Sequence, residues 1–176
     1  PGYYFQLASK LGSDVRLNTS LSSFSIKNVY KTDEMQQHAK RSGITLDVSE
    51  VKNKSDILRK PSNTDLVLAL ADPEVINLST LPKLLLKNYA NHIGMICYSP
   101  SMQNSGCVAS VYVDDKLVLS ELTEDVKSFL NSNSLTPPHY PKKAYFDLNT
   151  FVLRSLGIFV DFEDIDQNLL RKRVKG

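Results

Sequence analysis

Asp114 and Asp115 stand side by side in "VYVDDKLVLS" (111–120), and adjacent carboxylates invite a metal. Two-metal phosphoryl chemistry needs two or three carboxylates converging on a pair of cations about 4 Å apart. Asp47, in "ITLDVSEV" (44–51), is the third carboxylate that a neighbouring strand could bring. A second set of polar side chains follows two apolar runs. Asp72 and Glu74 lie in "ADPE" (71–74); Tyr98, Ser99, Ser101, Gln103 and Asn104 lie in the hydroxyl- and amide-rich "YSPSMQNSG" (98–106). Ligands of open α/β sheets sit beyond the carboxyl ends of the strands, so these residues are the ligand-binding candidates. A third set is basic: Arg171, Lys172, Arg173 and Lys175 in "LLRKRVKG". They could contact phosphates of a nucleic acid or an acidic partner. The plainer reading is the basic end of a helix, balanced upstream by Asp161, Glu163, Asp164 and Asp166.

The Tyr-x-Asp-Asp box at 112–115, set between apolar runs, resembles the metal-binding box of reverse transcriptases. That resemblance implies metal-dependent nucleotidyl transfer by Asp114, Asp115 and Asp47. The remainder of the chain departs from the family: only 46 residues precede Asp47, where those enzymes carry a long fingers segment. Their basic nucleotide-gripping strand is missing too. Asp is favoured at hairpin tips, and "VYVDDKLVL" is a common hairpin pattern. The box therefore reads as a turn, and no catalytic residue is assigned.

Other chemistries are excluded by spacing. His38, His92 and His139 lie far apart, none with a metal-binding partner on one helix face, so no metal site is expected. Neither G-x-G-x-x-G nor a P-loop occurs, there is no G-x-S-x-G elbow, and no cofactor is expected. Cys97 and Cys107 are not a C-x-x-C pair. In apolar strands they read as buried thiols, with a single local bridge as the alternative.

Periodicity supplies the elements that would position these groups. Residues 23–30 and 44–51 alternate apolar and polar, as half-buried strands do. Between them "TDEMQQHAKRSG" has acidic residues first, basic residues last and a glycine stop, which predicts a helix. Residues 65–71 and 92–99 are continuously apolar, as strands covered on both faces are. A helix is predicted over 79–91 between them. Residues 107–122 read as an edge hairpin around Asp114-Asp115, with a helix opening at Thr123 and running through Leu130. "NSNSLTPPHYPKK" (131–143) breaks regular structure. After it come a helix at 148–157, a short strand at 158–162 and a last helix. The pattern predicts an α/β fold, a mixed and mostly parallel sheet flanked by helices in three layers. An edge hairpin and a helical C-terminal appendage complete it. The predicted organisation is a core over 1–134, a Pro-rich link over 135–143 and the appendage over 144–176.

The 176 residues are 41% hydrophobic and 23% charged, with a net charge of +2. That is the composition of a globular chain, and the charge balance favours no polyanionic partner. No run of about 18 apolar residues exists to span a membrane. The first residues lack a signal-peptide pattern, and they lack an initiator Met, as in a domain cut from a larger protein. The function expected from this is a non-catalytic α/β interaction domain of a larger cytoplasmic or nuclear protein. It would bind a protein partner through an edge strand and the C-terminal segment. The alternatives are a transferase-like enzyme binding a nucleotide or sugar phosphate at the strand ends, and nucleic-acid binding through the basic C-terminal helix.

Overall fold

Three short segments of the chain, nearly all apolar, are buried on every residue: Leu66–Leu68, Gly94–Cys97 and Ala109–Tyr112. A strand points alternate side chains to opposite faces, so such segments are stable only with cover on both sides. The computed structural model, which describes residues 2–59, 63–160 and 169–171, meets that demand with a seven-stranded sheet. In chain order the elements are α1 (Gly2–Lys10), β1 (Arg16–Ser22), α2 (Ser23–Asn28), α3 (Thr32–Arg41), β2 (Thr45–Val51) and α4 (Lys54–Ile57). There follow β3 (Leu66–Leu68), α5 (Leu81–Ala90), β4 (Gly94–Cys97), α6 (Pro100–Asn104), β5 (Ala109–Tyr112) and α7 (Asp115–Ser132). The last are β6 (Ala144–Leu148), α8 (Thr150–Ser155) and β7 (Leu169–Arg171).

The strand order is β2-β1-β3-β4-β5-β6-β7. Strands β1 to β5 run parallel, β6 pairs antiparallel with β5, and β7 runs parallel to β6. Each face carries its own core. Leu66, Leu68 and Ile96 join Phe5 and Leu7 of α1, Met35 of α3 and Leu153 of α8 on one side. Val67, Met95 and Cys97 join Leu81 and Leu84 of α5 and Met102 of α6 on the other. This is the three-layer α/β arrangement expected from the sequence. No helix among the described residues is long and apolar enough to cross a membrane.

Several local expectations are corrected. The edge hairpin does not form: β5 ends at Tyr112, and the next residues open α7, with Asp114 accepting the Leu117 N–H at 3.0 Å as its cap. The apolar positions 118, 122, 126 and 129 recur at helical spacing. A window confined to "KLVLS" hides that period behind an accidental alternation. Residues 23–28 form α2 instead of a strand, because Ser22 ends β1 and its hydroxyl accepts the Ser25 N–H at 3.2 Å. The C-terminal segment is not simply a helical appendage. Its residues 144–148 and 169–171 are strands of the same sheet. The predicted final helix is replaced at Leu169–Arg171 by β7, where backbone pairing to Ala144–Phe146 outcompetes a helix. The remainder of that helix lies outside the described residues. Residues 158–160 form no strand, and α8 is capped by Asn149.

The cysteines are bridged, not free. Turning the chain through α6 brings Cys97 and Cys107 to a Cα–Cα distance of 6.2 Å, within disulfide range, and they form a bridge. Closing so short a loop removes chain entropy worth about 3 kcal/mol from the unfolded state.

Helix α7 is unlike the others in that none of its residues is buried. The link returns alongside it, with the Lys142 N–H donating to Glu121 Oε1 at 2.8 Å and His139 meeting Asp125 at 3.2 Å. Val118, Leu119, Leu122, Val126 and Leu130 remain exposed along its length.

Gly94 in β4 is closely packed on both neighbouring segments. A Cβ there would stand 2.8 Å from Leu66 Cδ2 and 2.9 Å from Val108 Cγ1, both side chains being buried. Gly94→Ala is therefore expected to cost about 1–3 kcal/mol by overpacking. In urea unfolding this shows as a lower midpoint at unchanged slope.

Candidate functional site

The order β2-β1-β3 means that the chain leaves β1 in one direction and returns on its other side to build β3. In sheets of this kind the crevice at the carboxyl ends of the strands flanking that reversal is where ligands collect. Here the crevice is closed by one carboxylate. Asp72, after β3 and only 1% exposed, accepts the Ser22 N–H at 2.7 Å and the Glu74 N–H at 3.1 Å. Burial pushes its pKa up. Hydrogen bonds from the Ser22 and Glu74 amides and the Ser22 and Ser25 hydroxyls outweigh that, so it lies below the usual aspartate range. Asp72, a ligand candidate by sequence, thus ties the end of β1 and the start of α2 to the β3 exit.

Beside this tie lies a cavity of about 490 Å³. Its walls come from the start of α1 (Tyr3, Tyr4, Gln6), His38 of α3, Ala71 after β3 and Tyr98 after β4. Val111, Tyr112 and Val113 at the end of β5 and Tyr140 and Pro141 of the link complete it. Five of the chain's eight tyrosines are in this one wall. Three of their hydroxyls have fixed acceptors: Tyr3 donates to the carbonyl of wall residue Pro141 at 3.0 Å, Tyr4 to that of wall residue Val111 at 3.1 Å, and Tyr112 to Asp147 Oδ2, behind the wall, at 2.9 Å. Asp147, on β6, stands opposite Ser110 in the β5–β6 pairing, and Tyr145 stands opposite Tyr112 with ring centroids 5.9 Å apart.

Burial raises the Tyr4 pKa well above the ordinary tyrosine value, with Tyr30 and Tyr98 adding to it. Burial also raises that of Tyr112, followed by the Asp147 hydrogen bond and the charges of Asp147 and Asp114. Tyr30, half-buried nearby, is raised by burial against an Ala71 backbone hydrogen bond. A cavity of this size, aromatic and apolar with a few polar groups, has the character of a small-molecule site.

Among the seven ligand candidates read from the sequence, only Tyr98 lines this cavity. Glu74 is exposed. Ser99 and Ser101 bond each other at 2.6 Å, and Gln103 takes a long bond from Ser110 at 3.5 Å. Asn104 is exposed at the end of α6. Arg171 lies in β7, and Lys172, Arg173 and Lys175 lie outside the described residues. Asp47 borders a separate polar hollow with Asn18, Glu50 and Asp56. Four strand spacings of about 4.8 Å part β2 from β5, so Asp47 cannot share a metal with Asp114. Among the described residues no group of three His, Cys, Asp or Glu side chains could hold a metal ion.

Tyr3, Tyr4, Tyr112 and Tyr140 were missed because they come from three distant stretches. The signal available was tyrosine itself, which suits walls with one apolar and one polar side.

No protein-family model matches the sequence, and no curated protein is significantly similar to it. Solved structures do share the fold. The Streptococcus pneumoniae ABC domain in complex with L-Trp superposes with a TM-score of 0.67 at 16% identity, covering 97% of this chain and 60% of that one. A ligand-free, open substrate-binding protein with adhesive properties from Clostridium difficile gives 0.67 at 14% identity, covering 98% and 59%. A conserved domain protein from Vibrio cholerae gives 0.66 at 14%, covering 98% and 60%. At such identities the likeness is one of fold. The chain spans about three-fifths of the length of these structures.

The bonds around Asp72 predict an acid-sensitive tie. A carboxylate whose folded pKa is depressed contributes stability that is complete above its unfolded value, and that is lost as pH falls through the folded one. Asp72→Asn is expected to be about 1.5–3 kcal/mol less stable at pH 7, since an amide cannot accept the same donors. Its stability should fall less than that of the parent between pH 4 and 2, as read by urea titrations across that range.

Proposed function

We propose that this chain is a ligand-binding α/β domain that takes a small organic molecule in the tyrosine-walled cavity at the carboxyl edge of its sheet. The observation that carries this reading is the convergence of five tyrosines from α1, β4, β5 and the link on one cavity at that edge, the edge at which open α/β sheets bind ligands. The shared fold with a substrate-binding protein and with a tryptophan-bound ABC domain supports it. On this reading the domain binds without transforming. The cavity wall offers tyrosines, one histidine, an amide and apolar side chains, a set suited to holding a ring or an alkyl body.

The Cys97–Cys107 bridge supports a working place in an oxidising compartment, since disulfides persist there and are rare in the reducing cytosol. That differs from the cytoplasmic or nuclear setting inferred from the sequence alone.

The test is a thermal-shift screen of amino acids, aromatic amines, sugars and nucleotides. A compound at about 100 times its Kd should add roughly 2.7 kcal/mol to stability. Its effect should vanish in Tyr98→Ala at unchanged far-UV circular dichroism. A compound whose shift survives that substitution binds elsewhere, and the cavity reading fails.

A protein contact through α7 is a second reading, favoured by a specific observation. Six large apolar side chains, Val118, Leu119, Leu122, Val126, Phe129 and Leu130, are exposed along an 18-residue helix with no buried residue, and solvent-facing apolar stripes of this kind mark interaction surfaces. It retains the non-catalytic partner-binding role expected from the sequence and moves the contact from the edge strand and C-terminal segment to α7. The paired substitution Leu122→Asp and Val126→Asp should then raise solubility and abolish concentration-dependent association in light scattering, leaving the melting temperature within a few degrees. A loss of folding instead would mean that the stripe packs within the domain.

A further inference from the structure

We propose that the tyrosine-walled cavity recognises an organic cation, a methylated ammonium group on an apolar body, in preference to a zwitterion or an anion. This rests on reading the cavity as a ligand site and names its ligand class. The first observation is what the wall lacks. Among the described residues no lysine, arginine, aspartate or glutamate lines it. A free amino acid brings a carboxylate and an ammonium, each of which needs charged or multiple hydrogen-bonding partners once removed from water. A phosphate needs an arginine, a lysine or a row of backbone N–H groups. A quaternary ammonium has no N–H to satisfy. Its attraction is to aromatic faces, whose quadrupoles are negative, and here five rings are gathered.

The second observation is how those rings are held. The Tyr3, Tyr4 and Tyr112 hydroxyls donate to Pro141, Val111 and Asp147, so three rings are fixed at their polar ends. Ring positions set before binding spare the cost of ordering them around a guest.

The third observation is the charge behind the wall. Asp147 sits at the end of Tyr112, the buried Asp72 follows wall residue Ala71, and Asp114 follows wall residue Val113. The raised Tyr112 phenol registers the same field, through the charges of Asp147 and Asp114 as well as burial. On the positive side, Lys31 is engaged by Glu34 at 3.1 Å. Lys142 and Lys143 are exposed beside the wall, and His38 lies within it. A cation entering the cavity thus meets aromatic rings, one of them bonded to Asp147, with Asp72 and Asp114 next to wall residues and Lys142 and Lys143 next to others.

The experiment compares two molecules of nearly equal shape. Choline and its neutral isostere 3,3-dimethylbutan-1-ol are titrated calorimetrically into the full chain at pH 8, beside L-tryptophan and inorganic phosphate. Choline is expected to bind at least tenfold tighter than the isostere. Tyr98→Phe, which keeps the ring, should retain choline binding, and Tyr98→Leu should weaken it about tenfold at unchanged melting temperature. Equal or tighter binding of the isostere, or tryptophan binding where choline does not, overturns the cation inference and leaves the cavity as a ligand site. Loss of choline binding in Tyr98→Phe overturns it as well, because the hydroxyl would then be the determinant. Silence from all four compounds overturns this inference; the broad screen with Tyr98→Ala then decides separately whether the cavity is a site at all.

Discussion

The buried Asp72 carboxylate is the point on which the arrangement turns. Parallel strands cannot be joined by short loops, so the chain must leave β1, build β2 on one side and come back for β3 on the other. That return creates a seam between two halves of the sheet at the end where ligands bind. Asp72 closes the seam by accepting amides from both sides, Ser22 beyond β1 and Glu74 beyond β3. An ionised group with two backbone amides and two hydroxyls around it repays its desolvation. The same group with fewer donors would not. The position of Ala71, hence one wall of the cavity, follows from that bond set. So does the position of α2, whose cap residue Ser22 is tied to Asp72.

From this seam outward the architecture is a consequence of double-sided burial. β3, β4 and β5 are buried on both faces, so helices must lie on both sides. The sheet's outer strands are less constrained: β2 alternates buried Leu46 with exposed Asp47 and Ser49. The antiparallel β6 changes the direction of the sheet at β5, and this is what brings Asp147 to the hydroxyl of Tyr112. One reversal of strand direction thus supplies the acceptor that fixes a ring of the cavity wall.

How much of this is legible in the sequence depends on how local the cause is. α3, β2, β3, α5 and β4 are written in runs whose period and punctuation agree, and the continuously apolar 65–71 and 92–99 announce central parallel strands. The misread places are those where a short window satisfies two periods. "SFSIKNVY" alternates like a strand, yet β1 before it already fills the sheet position, and Ser22 caps a helix. "KLVLS" alternates too, but its next ten residues carry the helical period. Cys97 and Cys107 could be paired only once α6 was known to double the chain back. The site was the least legible part. Tyr98 was found because strand ends bind ligands, whereas Tyr3, Tyr112 and Tyr140 reach the same cavity through long-range packing that no spacing rule encodes. Ser99 to Asn104 shared a loop with Tyr98 in sequence without lining the cavity in space.

α7 and the returning link have a consequence for how the domain breathes. An 18-residue helix with no buried side chain is marginal by itself. The bonds from Glu121 and Asp125 hold the link to α7, and the Tyr3 hydroxyl ties Pro141 of the link to α1. A helix with so little burial is expected to exchange its amide hydrogens faster than the core strands. Tyr140 and Pro141 of the link are also cavity wall. The cavity therefore has three sides set by the sheet and its helices and a fourth side carried by the link that α7 holds. A guest would enter past that side, without the core having to unfold.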